Sequence, residues 1–345
     1  MIRKTFSVIL IILIILSLAA CSDNEKKRYE AQFMFLFDTT SQIIGYSYSK
    51  EKFSEQAQLI HDELEEYNKL YDIYNNYEGI NNIKTINDNA GIAPVKVDQR
   101  IIELLDFSKD AYNKTDGKVN VAFGAVLKIW HEYRTIGTED AEKADLPPVE
   151  VLIGANKHTD INDVIIDHEA STVFLRDPEM SLDVGAIAKG YSVEQVSKIA
   201  LEHGFDSGLI SVGGNVRTIG YKGDDKELWN VGIQNPEKGQ PNLYYVSLTD
   251  MSLVTSGNYI RYYTVDGKKY HHIIDPETLF PAEYYDAVTI ICRDSGVADA
   301  LSTAVFNMPF EQGRELIESL PETEAVWIFP DGTTVYSSHF EDILK

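Results

Sequence analysis

Five short segments carry side chains suited to chemistry. Tyr270-His271-His272-Ile273-Ile274-Asp275-Pro276 sets two adjacent imidazoles ahead of an acid. An imidazole titrates near neutrality and suits proton transfer from a hydroxyl. In a strand successive side chains face opposite ways, so only one of His271 and His272 faces a given site. Asp294-Ser295-Gly296-Val297-Ala298-Asp299-Ala300-Leu301-Ser302-Thr303 reads as a helix opened by Asp294 or Ser295. It places Asp299 and Thr303 one turn apart on one face. A carboxylate and a hydroxyl are hard oxygen donors that suit Mg²⁺, which usually shares substrate phosphates. The alternative has Thr303 bonding back to the Asp299 carbonyl, with the acid solvated.

Three further segments are rich in small residues. Ser181-Leu182-Asp183-Val184-Gly185-Ala186-Ile187-Ala188-Lys189-Gly190 reads as a strand delivering Asp183 to a Gly/Ala turn, with a helix following. Small residues let a ligand approach the backbone, and the new helix aims N–H groups at an anion. Lys189 adds positive charge there; a plain tight turn with a solvated lysine is the other reading. Val212-Gly213-Gly214-Asn215 ends a strand in a turn open to a phosphate or flat ring, and Thr255-Ser256-Gly257 precedes a further strand. A P-loop, a GxGxxG on strand-turn-helix, HExxH, CxxC and GxSxG are all missing from the sequence.

The elements that must hold these residues follow from periodicity. Phe53, Leu59, Ile60, Leu64, Tyr67 and Leu70 recur at helical spacing from about Lys50. Asp98 caps a helix carrying Ile101, Ile102, Leu104, Leu105 and Tyr112. Helix signals return over 187–203, 298–308 and 311–320. Strand signals cover 173–175, 208–212, 229–233, 244–248, 288–292 and 326–329, and Asp266-Gly267 joins 260–265 to 269–274 as a hairpin. Strands cluster with hairpin turns and helices come in blocks. An α+β fold is therefore expected, with mixed, largely antiparallel sheets and helices packed outside. The polar stretch 135–148 reads as a loop.

The chain has 345 residues with 31 Lys+Arg against 54 Asp+Glu, a net charge of -23. That charge excludes nucleic acid and anionic membrane surfaces as partners of the folded body. Only Cys21 and Cys292 are present, so neither a disulfide framework nor a cysteine zinc site is expected. Met1-Ile2-Arg3-Lys4, an apolar run from Val8 to Leu16 and Leu18-Ala19-Ala20-Cys21 describe a secretory signal. The last four residues resemble a bacterial lipobox. Residues 1–20 are thus expected to be a lipoprotein signal peptide and Cys21 a lipidated cysteine. Residues 21–30 would form a tether and 31–345 one folded domain, extracytoplasmic and held at a membrane by lipid.

In order, these segments resemble the ApbE family, the FAD:protein FMN transferases of bacterial envelopes. The match runs roughly from Phe35 to Leu320. It includes Thr115-Asp116-Gly117, Asp183 to Gly190, Val212 to Asn215, Thr255 to Gly257, His272 to Pro276 and Ala298 to Thr303. The resemblance implies a fold like that family's (T-fold-like) and a Mg²⁺-dependent reaction. FAD would be split, AMP released and FMN placed on a Thr or Ser hydroxyl of a partner envelope protein. It also implies that Asp299, Thr303 and an atom around Ala186 bind the metal. Asp183 and Lys189 would contact the FAD nucleotide. Lys118, Val119, Asn120, Phe37, Tyr74 and His271 would line the cleft, and His272 would be the general base. Leu279 stands where the family commonly has glycine, and Asn120 where aspartate is frequent. Two other readings share this site: hydrolysis of FAD to AMP and FMN, and flavin binding without chemistry.

Overall fold

The computed structural model describes residues 25–345. The lipobox, Cys21 included, lies outside the described residues. An eight-stranded sheet forms the centre, and its strands lie side by side in chain order: β1 (Lys27–Leu36), β2 (Thr39–Ser47), β3 (Gly208–Val212), β4 (Asn215–Ile219), β5 (Ser252–Gly257), β6 (Ala287–Cys292), β7 (Glu324–Ile328) and β8 (Thr334–Tyr336). Every neighbouring pair is antiparallel. The tether therefore ends sooner than expected. Residues 27–30 already pair with β2, and residues 25–26 are the only described part of it.

Six longer helices are α1 (Lys50–Tyr71), α2 (Gln99–Lys114), α3 (Gly124–Glu139), α4 (Ala188–Glu202), α5 (Ser295–Phe306) and α6 (Phe310–Glu318). Ser49, Asp98 and Asp294 cap α1, α2 and α5 by accepting hydrogen bonds from first-turn N–H groups. Helices α1, α4, α5 and α6 cover one face of the sheet. Alternation along the strands shows which side chains meet them. Ile43, Ile210, Val254, Ile290 and Trp327 pack toward the helices. Leu209, Leu253, Ile291 and Val326 point the other way, against the hairpin Trp229–Ile233/Tyr244–Leu248 and Phe340. Both faces are covered, so the central strands read as apolar runs without clean alternation.

The second structural unit is small. Phe123, which caps α3, and Val126 and Trp130 within it pack with Tyr263, Ile274 and Leu279. Its hairpin is Tyr262–Val265 with Lys268–His271, turned at Asp266 and Gly267, both with positive φ. Helix α3 occupies a region with no assigned expectation and runs into the stretch read as a loop, since Thr135–Glu139 continue it. Leu127, Ile129 and Tyr133, partly buried, pack against the same cluster and outweigh the polar composition of the helix end.

One local expectation is enlarged and another overturned. Residues 252–257 form a strand of their own at the middle of the sheet, besides preceding the strand Tyr262–Val265. Ser181 makes only a single parallel bridge with Phe123, so no strand delivers Asp183. That segment is tied down otherwise: Asn87 exchanges two hydrogen bonds with the backbone of Leu182, at 2.9 and 2.7 Å.

Leu279 adopts a backbone conformation that favours glycine. Its φ is +63°, its N–H bonds Asp275 O at 2.8 Å, and its carbonyl accepts from Trp130 Nε1 at 2.9 Å. The left-handed conformation costs a leucine ~1–2 kcal/mol. Its side chain is buried, and truncating such a leucine costs ~2–5 kcal/mol. Leu279→Gly is therefore expected to lower the unfolding free energy by about 1–3 kcal/mol despite relieving the backbone. A urea titration checks this, and an increased midpoint would contradict it.

Candidate active site

The centre of the site is the crossing of α4 and α5. Gly190 N–H donates to Asp299 Oδ2 at 2.8 Å. A Cβ at Gly190 would lie 2.3 Å from Ser295 O and 2.4 Å from Asp299 Cβ, so only glycine permits this approach. Glu194, one helical turn further along α4, fixes the start of α5. It accepts from Ser295 N–H at 3.0 Å and from Arg217 Nε at 3.1 Å. The stretch 185–190 and the stretch 298–303 are thereby brought into contact across the fold.

Asp299 is buried, and burial pushes its carboxyl above the ordinary range. The Lys189 charge and the Gly190 N–H oppose that shift. Asn215 follows Gly213 and Gly214, both at positive φ, in the tight β3–β4 turn. Its buried Nδ2 has no hydrogen-bond partner in the described structure. Ser302, and not Thr303, returns to the Asp299 carbonyl at 2.9 Å, and its hydroxyl also meets that of Ser256 at 2.8 Å. The half-buried Thr303 lies one turn beyond Asp299, as expected.

His272 lies beyond the end of its strand, which stops at His271, so simple alternation does not decide between the two histidines. Hydrogen bonding does. His271 Nε2 meets Ala282 O at 2.7 Å, its Nδ1 accepts from Ile273 N–H at 3.2 Å, and its ring abuts Phe306. Both nitrogens are committed and the ring is buried, so His271 is part of the packing. His272 Nδ1, by contrast, is buried without a partner. Burial, then the charges of Arg261, Arg134, His271 and Lys189, lower the His272 pKa to about 3.

Asp183 stands in the same neighbourhood. Its N–H donates to Val121 O, and its Oδ1 accepts from Gly185 N–H at 2.8 Å. Burial raises its pKa, opposed by that N–H and by His131, Arg134 and Lys189. Tyr74 is more than half exposed, and its ring stands 5.3 Å from that of His131. Ala186 is half-buried in the turn leading into α4.

The remaining expected residues sit differently. Lys118 is buried and bonds Asp275 at 3.0 Å and Glu277 at 2.9 Å, locking the loop after α2 to the turn that follows His272. The Val119 side chain is buried in the main core, so only its backbone is left to face a ligand. Asn120 uses its amide on Thr159 O and on Ala122 N–H, both at 2.9 Å. Phe37 has a positive φ, and its N–H bonds Asn68. His131, Arg134 and Arg261 were not singled out from the sequence. They belong to no motif, and only folding α3 beside the 262–271 hairpin brings their charges to Asp183 and His272.

Residues 37–327 match the model of the ApbE family. The chain belongs to the ApbE family. A relative from Treponema pallidum, named FAD:protein FMN transferase, is 38% identical over 72% of this chain and 71% of its own length. One of the same name from Klebsiella pneumoniae is 31% identical over 74% and 77%. The crystal structure of the ApbE protein from Thermotoga maritima superposes with a TM-score of 0.80 at 29% identity, covering 92% of this chain and all of that one. The α+β fold expected from the sequence is thus that of this family's solved structures.

Proposed function

We propose that this protein is a Mg²⁺-dependent FAD:protein FMN transferase whose acceptor is a Thr or Ser hydroxyl of a partner envelope protein. The observation that carries the reading is the Gly190–Asp299 contact. It brings the acid Asp299 together with Lys189 and the Thr303 hydroxyl, and the Lys189 charge also acts on His272, in a family whose relatives bear that name. The donor set fits the metal: the Asp299 carboxylate, the Thr303 hydroxyl and the Ala186 carbonyl are hard oxygens, too few for a full protein cage, as Mg²⁺ prefers. When bound, Mg²⁺ supplies charge neutralisation across the diphosphate.

The chain's own residues do the rest. Lys189 offers its ammonium to the nucleotide, and the small residues 185–190 leave room for it. His272 accepts the acceptor's hydroxyl proton. The acceptor oxygen bonds to the FMN phosphorus, the bridging P–O bond breaks, and AMP departs with the electron pair. Neutral His272 suits this step, since a protonated imidazole cannot accept the proton.

Export and lipidation at Cys21 belong to the same proposal and are supported by the signal-like amino terminus. Among the described residues no helix is long and apolar enough to cross a membrane. Incubating the purified protein with FAD, Mg²⁺ and an acceptor domain is expected to yield a flavin-fluorescent acceptor band that survives denaturation. AMP release that proceeds equally without acceptor would instead favour hydrolysis, and no label on several genuine acceptors would refute transfer.

A further inference from the structure

Arg134 and Arg261 belong to no motif that points to catalysis, yet both act on His272. Helix α3 carries Arg134, which is half-buried and bonds His131 Nδ1 through Nη2 at 2.9 Å. That bond makes His131 Nδ1 the acceptor and leaves the ring neutral, with its proton on Nε2. Burial and the Arg134 charge hold the His131 pKa below its ordinary value, which keeps the ring in that state. The Tyr74 ring backs His131 from the other side. Gly137 lets the 262–265 strand approach α3: a Cβ there would lie 2.6 Å from the Tyr263 ring. Tyr263 OH also bonds Asp145 O at 3.0 Å, beyond the end of the same helix. Arg261, the residue before that strand, is exposed and repels Arg134.

Neither arginine forms an ion pair among the described residues, and neither does Lys189. In a chain of net charge -23, three cations without ion-pair partners around the half-buried His272 ring form a local excess of positive charge. Holding like charges together costs free energy that an anion would recover.

We infer that Arg134, held in place by His131, and Arg261 form a cationic arm that receives the diphosphate of FAD opposite the Asp299 side of the site. This rests on the transferase reading and adds to it two substrate-binding residues and one positioning residue. Arginine suits the task because its planar fork meets two phosphate oxygens at once. Bound there, it also draws off charge that builds on the departing AMP phosphate when the bridging P–O bond breaks.

The test uses binding without an acceptor. Arg134→Gln and Arg261→Gln are each expected to weaken FAD binding about tenfold, the scale of one lost charge-assisted hydrogen bond, measured by flavin fluorescence. Binding of riboflavin, which has no phosphate, should be unchanged. Arg134→Lys should recover only part of the loss. His131→Ala should raise KM for FAD more than it lowers kcat, as expected of a residue that acts through Arg134. Equal losses for FAD and riboflavin, or none for FAD in either arginine variant, would overturn the arm while leaving FMN transfer by the wild type standing. Arg261 is exposed, so its variant remains informative if Arg134→Gln folds poorly. A wild type that binds no FAD and labels no acceptor would overturn both readings.

Discussion

Asp299→Asn is expected to lower FMN transfer by about 10³-fold, the scale on which removal of a preorganised charge acts, and to abolish the response to Mg²⁺. The same substitution should raise the thermal midpoint of the metal-free protein. Burial raises the Asp299 pKa, so the folded protein holds that proton more tightly than the unfolded chain. The group's stabilising contribution is therefore present at low pH and is lost as pH rises from the ordinary carboxylate range through the raised value. At neutral pH the buried charge weakens the fold. Asparagine keeps an oxygen for the Gly190 N–H and removes the charge. Loss of activity together with gained stability is the pattern of a strained functional group. Unchanged transfer in Asp299→Asn, or a clear drop in its midpoint, would show that the acid serves the packing of α4 on α5 and nothing more. A midpoint that rises with added Mg²⁺ in the wild type, but not in the variant, would support the metal role directly.

His272→Gln should cost about 10²–10⁴-fold in transfer, the range for a lost general base. His271→Gln, by contrast, should act chiefly on stability, because that ring's two hydrogen bonds are to backbone. The pH dependence carries a further signature. In the free protein His272 has a pKa of about 3, depressed first by burial and then by Arg261, Arg134, His271 and Lys189. A bound diphosphate would neutralise part of that positive field and raise the value. The acid limb of kcat/KM, which reports the free protein, should therefore lie at lower pH than the acid limb of kcat, which reports the complex. Substrate binding would thus make the imidazole a stronger base where it is needed. Coincident limbs would sink this account, and full activity in His272→Gln with none in His271→Gln would reverse the choice of base.

Much of the site was legible because its chemistry sits in short segments. Asp299 and Thr303 are one helical turn apart, and helical geometry alone puts them on one face. Gly190 and Gly213 leave no room for a Cβ and Gly214 has a positive φ, so the small-residue stretches mark close approaches and tight turns in the fold. The elements missed were those whose composition disguises them. Helix α3 ends in polar residues, and strand β5 carries Ser, Thr and Gly at the middle of a sheet. Its hydroxyls stay there because each finds a partner, Thr255 with Thr289 and Ser256 with Ser302.

The histidine pair separates the two kinds of information. Periodicity states that neighbours in a strand point apart, but the strand ends between His271 and His272. Which ring was free depended on Ala282, eleven residues away, and on Phe306 across the core. The same holds for charge. A total of -23 was readable from composition alone, and it set the problem of how such a chain would hold a diphosphate. Where the scarce cations gather was not readable, because Arg134, Lys189 and Arg261 are far apart in the chain and meet only through the packing of α3, α4 and the 262–271 hairpin. Local spacing determined the motifs, since bond geometry acts over a few residues. Only the tertiary structure decided their electrostatic surroundings, since Coulomb interactions depend on distance in space and on burial.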